Sequence, residues 1–200
     1  MKFSTAFFVV SLVLLSSQNS ATQEHTDNSR QPDSLAAVNP HSPEWTTREY
    51  SDRFRKQDFA QCSELMDPAD LKLLTDVFIR LLKADTTGEL MRSVVGPKGG
   101  VEAFNSMEPR DRFALVFGTL IGKTRLGSVL SSMENHVLGH VLESDTIAHV
   151  VSRVHFSVED QSLSMCVMTN LRLVQGKWHV MLDDDKRLQI QAGLKNRSGK

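Results

Sequence analysis

The segment Asp145–Val158, DTIAHVVSRVHFSV, alternates between two kinds of side chain, and it decides how the second half of the chain folds. One set, apolar apart from one serine, consists of Ala148, Val150, Ser152, Val154, Phe156 and Val158. The other set carries the basic groups of His149, Arg153 and His155. A period of two is typical of a strand whose side chains point alternately to the two faces of a sheet. The segment therefore predicts a strand with one face against a core and a basic face away from it.

Three further segments with the same period predict an antiparallel meander of four strands. They are VLGHVLE (137–143), SLSMCVMTNLRLV (162–174) and WHVML (178–182). The joins at Ser144-Asp145, Asp160-Gln161 and Gly176-Lys177 each suit a two-residue hairpin loop, and loop length fixes the register. In this register the four strands share one apolar inner face, to which the first strand contributes Val137, Gly139 and Val141.

The first half of the chain is predicted to be helical. Ser42-Pro43, Asp58 with Gln61, Asp67-Pro68 and Thr86 with Glu89 are patterns typical of helix starts. Apolar residues after Asp67 follow the spacing of one buried helix face: Leu71, Leu74, Phe78, Leu81 and Leu82. The predicted fold class is α+β, with N-terminal helices packed on the concave face of a curved antiparallel sheet of about four strands.

The start of the chain has the layout of a secretory signal peptide. Lys2 gives a positive charge, residues 7–15 are apolar, and small residues near Ala21 suit cleavage. We expect a signal peptide at residues 1–21, a disordered linker at 22–41, one domain at 42–190 and a flexible tail at 191–200. The mature protein is then exported, to the periplasm or outside the cell, with no membrane segment after cleavage.

Net charge and cysteine content limit which partners and which metal or redox sites we expect. The net charge of −1 and the absence of a dense basic run argue against nucleic acid as a partner. Cys62 and Cys166 match no metal or redox motif, and the sequence leaves open whether they pair in an oxidising compartment. No cofactor is predicted.

The basic face of the predicted sheet has two interpretations. In the predicted register His140 faces His149, His149 faces Arg172, and His155 faces Cys166. Imidazole and thiolate are good ligands for zinc or copper, so His140, His149, His155 and Cys166 form an alternative metal set. The favoured interpretation is an outer face of the sheet that is partly exposed to solvent. Its valine, leucine and methionine content suits a homodimer surface.

The order of elements also suggests a family. The segments YSDRFRKQDFAQCSELMDP, HVVSRVHFSV and LVQGKWHVML resemble the opening helices, a sheet strand and the closing hairpin of the nuclear transport factor 2-like superfamily. The resemblance covers Pro43 to Leu182 and is nearest to small exported bacterial domains of unassigned activity. It departs from the family where PADLKLLTDVFIRLLK predicts a helix instead of a short strand pair. It implies a pocket between helices and sheet, in a superfamily that includes isomerases, dehydratases, polyketide cyclases and binding modules.

Two functional hypotheses follow for that pocket. The first is an exported module that binds a small apolar ligand or a protein; the pocket candidates are Ser152, Phe156, Val167, Thr169 and Trp178. The second is an isomerase- or cyclase-type enzyme, which needs a general base in the cavity. The predicted inner face carries no Asp, Glu or His, and Asp70 and Asp76 are expected on polar helix faces. No catalytic residue is therefore assigned, and the binding module is preferred.

Overall fold

The computed structural model describes residue 39 and residues 41–96, 100–122, 126–158 and 161–196. Within these residues, seven helices precede the sheet and one follows it. The helices are α1 (Pro43–Arg55), α2 (Phe59–Glu64), α3 (Pro68–Ala84), α4 (Glu89–Val95), α5 (Val101–Ser106), α6 (Pro109–Gly122), α7 (Leu126–Ser131) and α8 (Asp184–Asn196). None of them, over the described ranges, has the length and apolar character that crossing a membrane requires.

The first three helices begin where the sequence predicts. Ser42 Oγ accepts a hydrogen bond from the Trp45 N–H at 3.2 Å, and Asp58 Oδ1 accepts one from the Gln61 N–H at 3.3 Å. Asp67 Oδ1 accepts from two N–H groups at the start of α3. Each bond satisfies a backbone donor that lacks a partner within its helix.

The predicted cap of α4 is wrong. Thr86 does not cap this helix; the preceding Asp85 does, because Asp85 Oδ2 accepts from the Leu90 N–H at 2.7 Å and the Met91 N–H at 3.4 Å. A hydrogen bond from the Thr87 hydroxyl is the main reason that the pKa of Asp85 is below its ordinary value. Asp85 precedes the helix by four residues, so the spacing of a capping box does not reveal it.

The sheet confirms the predicted α+β class. Its strands β1 (Glu134–Ser144), β2 (Ile147–Val158), β3 (Gln161–Val174) and β4 (Lys177–Met181) pair antiparallel in chain order. The β2–β3 register differs from the predicted one by two residues, since Ala148 pairs with Leu171 rather than with Leu173. A shift of two leaves every side chain of these strands on the predicted face.

Strand β1 departs from its predicted face. Val137 pairs with Ser152 as expected, but the register shifts between Val137 and Gly139, so that His140 pairs with Val150. This bulge moves His140 to the inner face and Val141, which pairs with His149, to the outer face. The predicted pair of His140 with His149 is therefore wrong. The predicted pairs of His149 with Arg172 and of His155 with Cys166 are wrong because of the two-residue difference between β2 and β3.

The apolar core forms two clusters joined by α1. The larger lies among the helices and includes Phe54, Phe78, Phe113 and Phe117. The smaller lies on the inner face of the sheet and consists of Ala148, Val150, Leu171 and Val180. Tyr50 of α1 packs against both clusters. Helix α1 therefore covers the part of the inner face around Val150 and connects it to the helical core.

Two buried aspartates tie α3 to the sheet and to α8. Asp67 Oδ2 accepts from Arg172 of β3 at 3.1 Å. Asp70 is 1% exposed and accepts from Arg187 of α8 at 2.9 Å and 2.8 Å and from the Leu182 N–H at 2.9 Å. The expectation that Asp70 lies on a polar helix face is wrong, because Arg187 balances its charge inside the protein.

One edge of the sheet is covered by a short stretch of chain. The Asp67 N–H donates to Val180 O, and the Val180 N–H donates to Leu65 O, both at 2.7 Å. Met66 thereby forms a parallel bridge to Val180. Strand β1 forms the opposite edge of the sheet.

The ends of the chain relate to the predicted boundaries in different ways. The signal peptide at 1–21 and most of the linker at 22–41 lie outside the described residues and stay predictions. Helix α8 extends to Asn196, into the segment predicted as a flexible tail. Ile190, the last residue of the predicted domain, is buried.

The two cysteines are not bonded to each other. Cys62 is buried in α2 and Cys166 is exposed on β3. The Cys62 thiol donates to Tyr50 O at 3.7 Å, and burial raises the pKa of this thiol. Cys62 therefore belongs to the core and stays protonated.

Candidate functional site

The interface between α1 and the inner face of the sheet holds a polar group without a partner. Ser152 is 1% exposed, and its Oγ atom makes no hydrogen bond to any described residue. Its cross-strand neighbours are Val137 and Val167, and its same-face neighbours along β2 are Val150 and Val154. A hydroxyl in an apolar surrounding costs free energy unless something bonds to it.

Asn135, close to Ser152, carries a second buried oxygen atom that has no hydrogen-bond partner among the described residues. It pairs with Val154, which places it diagonally across from Ser152 on the same face, at a typical separation of about 7–8 Å. Asn135 Nδ2 donates to Ser51 Oγ of α1 at 2.6 Å, while the buried Oδ1 has no partner among the described residues. The bond to Ser51 holds the Asn135 amide against α1. Two oxygen atoms on the inner face of the sheet, Asn135 Oδ1 and Ser152 Oγ, therefore have no hydrogen-bond partner among the described residues.

A histidine and a glutamate meet at the other end of the same interface. His140 Nδ1 contacts Glu44 Oε1 in the first turn of α1. Partial burial opposes ionisation of Glu44, but hydrogen bonds from its own backbone N–H and from His140 outweigh it, and the pKa of this carboxyl is below its ordinary value. The Glu44 carboxylate therefore orients the His140 ring through Nδ1, and Nε2 takes no part in this contact.

One face of α1 supplies the helical side of this interface. Glu44 and Ser51 are seven residues apart, two turns of helix, and so lie on one face. Buried Thr47 lies between them, and its hydroxyl donates to Pro43 O at 3.0 Å. Below, the term α1–sheet site denotes Glu44, Ser51, Asn135, His140 and Ser152.

The structure does not bring all five predicted pocket residues together. Ser152 and Val167 pair directly, and Thr169 follows on the same face. Phe156 pairs with Leu163 and Trp178 with Leu173, and these partners are ten residues apart along β3, roughly 33 Å at about 3.3 Å per residue. Phe156 and Trp178 therefore lie towards opposite ends of the inner face, and only Ser152, Val167 and Thr169 form a local group.

The alternative metal set is also spread over the sheet. His140 lies on the inner face, His149 bonds to Asn170, and His155 lies opposite Glu134 and Ser164. Cys166 pairs with Arg153. Over the part of the chain that the structure describes, no three His, Cys, Asp or Glu side chains group as a metal ion would need. The geometry gives this set no common centre.

His149 is instead held by hydrogen bonds on the outer face. Its Nδ1 lies 2.9 Å from Asn170 Oδ1, and its Nε2 lies 2.7 Å from Glu143 Oε2. The hydrogen bond to Asn170, followed by the bond to Glu143, raises the pKa of His149 above its ordinary value. Both partner atoms are acceptors, so this arrangement favours the protonated ring and its ion pair with Glu143.

Sequence reasoning missed Asn135, Ser51 and the His140–Glu44 pair. One signal was available for His140: an isolated glycine inside a strand pattern, here Gly139, often marks a bulge. Asn135 precedes the segment read as the first strand. Ser51 lies on a helix whose alignment on the sheet cannot be read from the sequence.

Comparisons of the chain with protein-family models, with curated proteins and with solved structures found no match.

Proposed function

We propose that this protein is an exported module that binds a small neutral molecule at the α1–sheet site, in a domain of the nuclear transport factor 2-like kind. The pair of buried oxygen atoms, Ser152 Oγ and Asn135 Oδ1, carries the proposal, because neither has a hydrogen-bond partner among the described residues. A ligand that bonds to both would recover the free energy that their burial costs. The signal-peptide pattern of residues 1–21 supports export.

The surroundings of these atoms define the class of ligand. Asn135 Oδ1 only accepts hydrogen bonds, and Ser152 Oγ both donates and accepts, so the ligand must carry at least one O–H or N–H group. The four nearest same-face neighbours of Ser152 are valines, so the rest of the ligand is apolar. A charged ligand would be buried without a free counter-charge, since Glu44 and His140 already pair with each other. The favoured ligand is a neutral alcohol or amide with an apolar body.

Replacing Ser152 with alanine is expected to stabilise the ligand-free protein by about 1 kcal/mol, because it removes a buried hydroxyl that has no partner. The melting temperature should rise by roughly 2–4 °C. The same change should weaken binding of benzyl alcohol, a probe with one hydroxyl on an apolar body, by roughly tenfold. Thermal unfolding measures the first effect, and a titration followed by NMR measures the second.

Two controls make this test specific. Ser164→Ala removes an exposed hydroxyl from β3 and should change neither stability nor binding. Ethylbenzene has the shape of benzyl alcohol without the hydroxyl and should bind the wild type and Ser152→Ala equally. If Ser152→Ala is destabilising and a series of alcohols from methanol to benzyl alcohol leaves the NMR signals of β1 and β2 unmoved, the proposal is wrong.

An isomerase- or cyclase-type enzyme is the second candidate, and the His140–Glu44 contact favours it. The bulge in β1 gives the inner face the general base that the sequence did not predict there. For this candidate we expect the protein to speed the exchange of deuterium into the carbons beside the carbonyl of cyclohexanone, as followed by proton NMR. His140→Gln should abolish the acceleration and His155→Gln, on the outer face, should keep it. A wild-type rate equal to that of buffer would reject the enzyme.

A further inference from the structure

The outer face of the sheet carries an exposed apolar band. Val151 of β2 pairs with Met168 of β3, and Val141 of β1 lies diagonally across from Val151. The exposed fractions of Val141, Val151 and Met168 are 64%, 36% and 48%. Gly139 pairs with Val151 and has no side chain, so the surface is flat at this edge of the band. Val150, the residue before Val151 on β2, points to the inner face and is fully buried. Contiguous exposed apolar side chains on a sheet are typical of an interaction surface.

Opposite charges lie on the two sides of this band. Arg153 is exposed two residues from Val151 along β2. His149 lies two residues from Val151 in the other direction, and it binds the Glu143 carboxylate on the outer face. Arg153 therefore lies on one side of the row that contains Val151 and Met168, and the Glu143 carboxylate, bound to His149, lies on the other side.

We propose that this face binds the same face of a second copy of the chain, around a two-fold axis that crosses the strands at Val151. Such an axis places Arg153 of each copy over His149 of the other, where the Glu143 carboxylate binds the His149 ring. Two ion pairs between Arg153 and Glu143 then flank an apolar centre, which is the self-complementary arrangement that a two-fold interface needs.

The area of the face fits a stable dimer. Strand β2 has 12 residues. At about 3.3 Å per residue and about 4.8 Å between strands, the four-stranded face covers on the order of 700 Å². Specific interfaces bury about 800 Å² per partner. A second copy of the chain therefore matches the face in charge pattern and in size.

Light scattering after size-exclusion chromatography of the full chain tests this proposal. The wild type should have twice the mass of one chain, and Val151→Glu should reduce it to the mass of one chain, because it places two carboxylates at the axis. Leu188→Glu is the matched control, since Leu188 is an exposed apolar residue on α8, the helix that packs against α3. It should leave the dimer intact. Circular dichroism checks that both variants fold.

A charge exchange tests the two-fold arrangement. Arg153→Glu should weaken association by roughly tenfold or more, and adding Glu143→Lys should restore it, because the pair is then present with reversed signs. A wild type that is monomeric at all concentrations would overturn the proposal. It would do so both if the face is exposed to solvent and if residues 1–38 of the same chain cover it. A dimer that survives Val151→Glu would overturn it as well, because its interface would lie elsewhere.

Discussion

Replacing Arg187 with methionine is expected to lower the free energy of unfolding by about 3 kcal/mol and the melting temperature by roughly 6–12 °C. The change leaves the buried Asp70 carboxylate with the Leu182 N–H as its remaining partner among the contacts described. A buried charge without its counter-charge is much more costly than a lost surface contact. Chemical denaturation followed by circular dichroism measures the difference.

Arg110→Met is the matched control for this experiment. Arg110 pairs with Glu64 and Asp111, but all three side chains are about half exposed, so its removal should leave the free energy of unfolding nearly unchanged. Adding Asp70→Asn to Arg187→Met should recover much of the loss, because an amide oxygen can still accept from Leu182 without carrying charge. If Arg187→Met and Arg110→Met behave alike, the ion pair does not hold α8 to α3.

The second large effect is expected at Phe117, where alanine should cost about 4 kcal/mol and roughly 8–16 °C in melting temperature. Phe117 is 1% exposed, and its ring lies 4.2 Å from that of Phe113 and 5.8 Å from that of Phe78, centroid to centroid. It also contacts the rings of Phe54 and Phe59. Removing it leaves a cavity that several side chains would have to fill together.

Phe156→Ala is the control for cavity formation, because the same atoms are removed from a half-buried position in β2. It should cost less than half as much as Phe117→Ala in a denaturant titration. Equal costs would mean that the helical cluster around Phe117 contributes no more to stability than a half-buried ring on the inner face of the sheet, and would contradict the prediction.

The sequence predicts the fold class because its two signals, alternation and capping, are local. Ser42, Asp58 and Asp67 each bond to an N–H group within three residues, so the helix starts are visible in the sequence. The strands keep their predicted faces even where the register differs by two residues, because side-chain direction repeats every two residues.

The candidate site is less predictable because it depends on contacts between distant segments. Ser152 is identified correctly as a polar residue on the inner face, since the alternation of β2 fixes its direction. His140 is placed on the wrong face because one inserted residue reverses the alternation of β1. The Asp70–Arg187 pair joins residues 117 positions apart, and no local pattern indicates that such a carboxylate is buried.

The two edges of the sheet differ in how readily another chain could extend them. The Leu65–Asp67 segment occupies β4 on one side, which removes that edge as a template. On the other side, β1 has irregularities at Val137/Gly139 and Leu142/Ser144 that break the even spacing of its outward N–H and C=O groups. An incoming strand could pair in register with only a few of these groups, so both edges of the sheet disfavour the strand addition by which fibrils grow.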